Sequence, residues 1–163
     1  MKLGKLKNAQ LSKQSHEIGF VQRVLLYNYA MKNYTQILRE HNLKATPQRL
    51  AIADALDAKG HISLEDLYML MLKKFDSISL ATIYKNIHIM MENCFIQEVK
   101  LPHAKSVYEL TKTSHAHLAC SKCGAVEDIS LDLESVVAEA RAKSSFAIES
   151  SELVLSGLCK NCR

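Results

Sequence analysis

Long apolar runs are missing from this 163-residue chain. A membrane-spanning helix needs roughly 18 uninterrupted apolar residues, and the best contender, "GFVQRVLLYNYAM", is broken by Gln22, Arg23 and Asn28. A membrane protein is therefore not expected. Lysines precede that stretch as in the first part of a secretory signal, but no small-x-small cleavage site follows the interrupted apolar core, so the expected location is cytoplasmic. Also missing are a Gly-rich phosphate loop, a Ser/His/Asp arrangement, internal repeats and low-complexity tracts, which removes the usual signatures of phosphoryl transfer and hydrolysis. What is present is 48% hydrophobic composition, enough to bury a core in one or two small domains.

Charge is uneven along the chain. Residues 1 to 30 hold five basic residues against one acidic, residues 31 to 112 eleven against nine, and residues 113 to 163 five against seven. A basic amino-terminal side and an acidic carboxy-terminal side are compatible with a nucleic-acid-binding half joined to an assembly half.

Regular helical spacing begins near Met31, and residues 1–30 read as an amino-terminal extension: a real helix, or sequence upstream of a protein that starts at Met31. A helix is predicted from Tyr34 to Glu40, and a second starts at Pro47 behind the N-cap Thr46 and stops at Gly60. Ser63 caps a third, with Asp66 at the capping-box position and Leu64, Leu67 and Met71 at core spacing, Tyr68 and Phe75 joining them. Ser79 starts a fourth, in which Leu80, Ile83, Ile87, Met90 and Met91 form one apolar stripe while Thr82, Lys85 and His88 point elsewhere. "FIQEVKL" and "VYELT" flank "PHAKS" as a β-hairpin. Helices followed by a hairpin make a winged helix-turn-helix. Strands at "HLAC" and "AVEDIS", a helix from about Leu131 to Lys143 and a strand from about Phe146 to Leu155 make a second unit. The fold class is α+β, with a winged helix over residues 31–111 and a small α/β domain over 112–163.

Five cysteines fall into a pattern. Cys94 stands apart and reads as a small apolar residue near a helix end. "CSKCG" and "CKNC" lie 35 residues apart, and the thiolates of Cys120, Cys123, Cys159 and Cys162 suit a closed, structural tetrahedral zinc site. A rubredoxin-like iron site or a redox dithiol would use the same residues. In "SHAHLACSKCG", His115 and His117 project from one face of an extended segment and could chelate an ion, or stand as two solvated histidines. Their company favours a ligand role: Glu109 lies six residues earlier, Asp128 five after Cys123, and His61 just ahead of the third helix.

"KATPQRLAI", "SLATIYKN" and "HAHLACSKCG" together resemble the ferric uptake regulator family of metal-dependent repressors, from about Met31 to Arg163. The resemblance implies a homodimer that binds double-stranded DNA at an A·T-rich inverted repeat, with the second domain serving dimerisation. It implies a structural Zn2+ on the four cysteines and a regulatory Fe2+ or Mn2+ held by His61, Glu109, His115, His117 and Asp128. Thr82, Tyr84 and Lys85 on the fourth helix, with Arg49, become the candidate DNA contacts. A further metal site of the iron-sensing branch is expected to be absent, because Ser114, Ala116 and about Ser151 stand where its ligands would be. Asp128 as the last ligand, with Glu127 beside it, resembles the peroxide-sensing branch, whereas Glu109 points towards the iron sensors. The leading expectation is a repressor that senses peroxide through iron-catalysed oxidation of His61 or His115, with an iron-responsive repressor of metal uptake next. A zinc hydrolase built on His115, His117 and a carboxylate, and a purely structural zinc scaffold, are the competing readings from other classes.

Overall fold

A computed structural model describes residues 33–163 apart from 103; the predicted extension over 1–30 lies outside the described residues. The first described helix, α1 (Tyr34–Glu40), ends in a Schellman motif. Leu43 N–H donates to the Leu38 carbonyl at 2.8 Å and Asn42 N–H to that of Arg39 at 2.9 Å, with Asn42 at φ 58°, a left-handed conformation that asparagine tolerates well. Helix α2 (Pro47–Lys59) starts as its sequence dictates: Thr46 accepts from Arg49 N–H, Pro47 loses no needed donor, and Gly60 at φ 71° ends it.

Strand β1 (Ile62–Ser63) is two residues long and leads directly into α3 (Leu64–Leu72), whose N-cap Ser63 accepts from Asp66 N–H and donates its hydroxyl to the Asp66 carboxylate at 2.7 Å. Helix α4 (Leu80–Glu92) is capped by Ser79 and buries Ile83, Ile87 and Met90. Of the expected stripe, Leu80 is instead 42% exposed and Met91 is half-buried, because the stripe is covered only where other elements reach it. Tyr68 and Phe75 are likewise half-buried. The α4 helix also ends in a Schellman motif, with Cys94 N–H donating to Met91 and Phe95 N–H to Met90, both at 2.9 Å. This puts Cys94 at φ 53° and exposes it, so it lies at a helix end but is not buried there.

Strands β2 (Ile96–Val99) and β3 (Val107–Leu110) form the expected hairpin, and β1 pairs on the other side of β3 to give a sheet of order β1-β3-β2. The second sheet has the order β5-β4-β6. Its centre, β4 (Ala116–Cys120), pairs antiparallel with β5 (Val126–Ile129) and parallel with β6 (Val154–Gly157). Helix α5 (Leu133–Lys143), capped by Asp132, lies in the connection from β5 to β6, the two strands on opposite sides of β4, and gives the chain the length it needs to bring β6 back parallel to β4. It begins two residues later than expected. The strand expected from Phe146 is confined to Val154–Gly157: residues 144–153 have no ladder partner, and Phe146 is 80% exposed.

Fully buried side chains concentrate in the first half, where Leu38, Ile52, Leu56, Leu67, Met71, Ile83, Met90 and Ile96 pack together with almost no exposure. Beyond residue 112 the buried apolar residues are Ala116, Cys120 and Leu133, while Leu118, Leu131, Val136, Phe146, Leu155 and Leu158 stay exposed. The second half has a thin core of its own.

Candidate metal centres and nucleic-acid face

The β4–β6 pairing sets Cys120 opposite Gly157, so the two CxxC turns meet at one end of the second sheet. Gly124 closes the first turn at φ 74°, with its N–H donating to the Cys120 carbonyl at 2.9 Å; Cys162 N–H donates to the Cys159 carbonyl at 2.9 Å in the second. The sulfurs of Cys120, Cys123, Cys159 and Cys162 all lie within 4.8 Å of one another, and Cys123 Sγ is 3.8 Å from Cys159 Sγ. A tetrahedral zinc bonded at about 2.3 Å to each thiolate sets its sulfurs about 3.8 Å apart, so the donor set fits that ion. A disulfide would need about 2.05 Å. Backbone N–H groups of Cys159, Cys123 and Lys122 hold the Cys120 thiol down to about 6, whereas hydrogen bonding with the Cys123 and Cys159 thiols pushes Cys162 up to about 12.

The second cluster lies between the two sheets. His61 precedes β1, and because Ile62 pairs with Tyr108 the next residue along β3, Glu109, comes to it. Asp128 pairs with His117 across β4 and β5. The result is that His61, Glu109, His117 and Asp128 present ligand atoms all within 4.8 Å of one another. His61 Nε2 is 3.1 Å from Asp128 Oδ1 and His117 Nε2 is 2.9 Å from Glu109 Oε1. His115 joins from the rim, its Nε2 at 3.0 Å from that of His117, 3.2 Å from Glu109 Oε1 and 3.5 Å from Asp128 Oδ1. All five expected ligands are thus brought together. Glu127 pairs with Leu118 on the other face of β5, so Asp128 is the carboxylate directed into the cluster.

Three observations fit this donor set to a divalent cation. His61 Nε2 is buried without a well-directed hydrogen bond, an arrangement that is costly unless an ion or a proton completes it. His115 Nδ1 donates to the Thr113 carbonyl at 2.9 Å, which fixes the tautomer and aims the Nε2 lone pair at a carboxylate oxygen, favourable only with a cation or proton between them. Burial lowers the His61 pKa despite the neighbouring Glu109 and Asp128, a direction that favours the neutral, metal-binding form of the imidazole.

Two residues that the sequence pattern does not single out complete the cluster. Gln97 Nε2 donates to Glu109 Oε1 at 2.8 Å, from the position paired with Glu109 across the hairpin. Lys112 Nζ lies 2.9 Å from Glu109 Oε2 and 2.6 Å from Asp128 Oδ2. Burial pushes the Glu109 carboxyl up, but Gln97 and Lys112 outweigh it and leave it below the ordinary carboxylate value. Asp128 behaves likewise, with Lys112 overcoming its burial. The register of Gln97 with Glu109 was a usable sequence signal; Lys112 had none.

On α4, Tyr84 is 53% exposed and Lys85 is exposed, while Thr82 is half-buried with its hydroxyl 2.9 Å from Ser79 Oγ. Arg49 ties α2 to α4: its Nε donates to Asn86 Oδ1 at 3.2 Å and its Nη1 to the Lys44 carbonyl at 3.1 Å.

Comparison with known proteins agrees with this architecture. The model of the ferric uptake regulator family matches residues 40–156. The ferric uptake regulation protein of Bacillus subtilis (strain 168) is 33% identical over 132 residues, covering 77% of this chain and 89% of that protein. Among solved structures, the Vibrio cholerae ferric uptake regulator is 32% identical with a TM-score of 0.65, covering 78% of this chain and all of that one. The Campylobacter jejuni peroxide stress regulator is also 32% identical with a TM-score of 0.65, covering 81% of this chain and all of that one. With a family match over residues 40–156 and a relative 33% identical over 132 residues, the chain belongs to the ferric uptake regulator family.

Proposed function

We propose that this family member is a peroxide-responsive repressor, in which residues 31–111 bind DNA and residues 112–163 dimerise. Family membership makes it a metal-responsive transcriptional repressor and not an enzyme. No helix among the described residues is long and apolar enough to cross a membrane. The exposed apolar residues on β4, α5 and β6 support a dimer, because a half with so thin a core gains stability by covering them. Zinc on Cys120, Cys123, Cys159 and Cys162 is the structural ion in this reading.

The observation that carries the switch is the convergence of His61 and Glu109 from the first sheet's neighbourhood on His115, His117 and Asp128 from the second. Three imidazoles and two carboxylates suit ferrous iron or manganese. Ligands drawn from both halves bind a cation better when the halves are closed, so occupancy shifts the population towards the DNA-binding arrangement. Thr82, Tyr84 and Lys85 on α4 then enter the major groove, twice per dimer, which favours an A·T-rich inverted repeat. Arg49 holds α4 against α2 in that role.

Ferrous iron at this site supplies one-electron chemistry towards peroxide that manganese and zinc do not. Asp128 is 38% exposed at its side chain, and His61 and His115 keep 10% and 11% exposure, so the cluster meets solvent at its edge. The expected result with iron-loaded protein is one added oxygen atom on His61 or His115 after low-dose peroxide, with loss of operator binding, seen by peptide mass spectrometry and gel shift. Manganese-loaded protein keeps its DNA, and Asp128→Glu diminishes the oxidation. Glu109 and the similarity to the Bacillus subtilis ferric uptake regulation protein favour the second reading, an iron-responsive repressor. Iron-loaded protein that holds its operator through stoichiometric peroxide, with intact histidines, establishes that one instead.

A further inference from the structure

We propose that Lys112 is a built-in competitor for the regulatory metal: its ammonium pairs with the two carboxylates that the metal needs, and a divalent cation must displace it. The inference rests on reading His61, Glu109, His115, His117 and Asp128 as the ligands of that metal.

Glu109 has no solvent-exposed side-chain surface, and a carboxylate so placed requires a counter-charge. Lys112 supplies one from the solvent edge, where it is 39% exposed, reaching Glu109 Oε2 at 2.9 Å and Asp128 Oδ2 at 2.6 Å. Those two carboxylates come from β3 and β5, the strands of different sheets that the metal itself is expected to join. One ammonium therefore does part of what the ion does, and it does so with the ion's own anionic ligands. The site carries two negative charges, so a divalent cation neutralises it only when the lysine has left; with the lysine in place, the ion faces a like charge in a partly buried setting.

Open space lies beside the lysine. Lys112 lines a cavity of about 290 Å³ whose wall includes Glu98 and Glu152. The metal threshold of the protein is then set by how strongly the two carboxylates hold the lysine against the incoming ion.

Titrating zinc-replete protein with Mn2+, and following the free ion by electron paramagnetic resonance, tests this. Lys112→Gln removes the charge and is expected to bind manganese about tenfold more tightly, an effect discounted for the exposure of the ammonium. Operator binding should then appear at correspondingly lower manganese. Lys112→Arg keeps the charge and should stay near the parent affinity. Unchanged or weaker binding in Lys112→Gln overturns the competitor role and leaves Lys112 as a residue that merely positions Glu109. Parent protein that takes up no manganese beyond its zinc overturns the ligand reading and this inference together.

Discussion

Single side chains decide the chemistry of both centres, and not all of them are ligands. Gln97 never reaches the expected metal position, yet its amide fixes one oxygen of Glu109. Outer partners of this kind orient ligands, and losing one typically costs about 10–100-fold in metal affinity. Gln97→Leu should therefore weaken manganese binding by about that factor while leaving zinc at one per chain, which calorimetry and metal analysis check together. At the other centre, Cys120→Ser should lose the zinc and the folded dimer with it, because three thiolates no longer close a tetrahedral site. Elemental analysis and gel filtration decide; full zinc in a dimeric Cys120→Ser protein would remove the assignment. The paired histidines and cysteines that converge in the two clusters were legible in the sequence because HxH and CxxC are short-range patterns that survive any fold. Lys112 was not, since its role depends on two carboxylates that meet only between two sheets, and Gln97 was legible only through the hairpin register that sets it opposite Glu109.

At the level of elements, the helices of the first half were legible because their caps and apolar spacing are local. Thr46, Ser63 and Ser79 each accept the backbone N–H three residues on. Strand β1 was missed because two residues carry no periodicity and exist as a strand only through pairing with β3. The strand expected from Phe146 failed for the converse reason: its sequence suits a strand, but only Val154–Gly157 lies beside β4. Two predictions belong to α4. Tyr84→Ala should relax operator preference with zinc and dimer intact, and Lys85→Ala should weaken all DNA binding and reduce the salt slope by about one unit, as footprinting and salt titration would show. At the carboxyl end of the same helix, Cys94 holds the left-handed position that glycine favours. Cys94→Gly should therefore raise unfolding stability by up to about 1 kcal/mol, read from the urea midpoint, since relief of a left-handed side chain is partly offset by the entropy of the unfolded glycine.

For the whole molecule, the two halves differ in what holds them. The first half has a packed core, whereas the second buries few apolar residues and, in the proposed reading, depends on zinc and on a dimer contact. Stripping zinc with a strong chelator should therefore speed hydrogen exchange in β4, β5 and β6 well before the helices of the first half, a difference that mass spectrometry resolves by peptide. Strand β6 is joined to β4 by four residue pairs and continues directly into the second CxxC turn. Without the zinc proposed to anchor this turn, β6 is free to leave, and β4 changes from a central strand into an edge. Its bare backbone donors and acceptors, flanked by the exposed Leu118, would then invite strands from other molecules. Zinc loss should accordingly end in insoluble, β-rich aggregates and not in well-behaved monomers, so that the ion guards the protein's solubility as much as its shape.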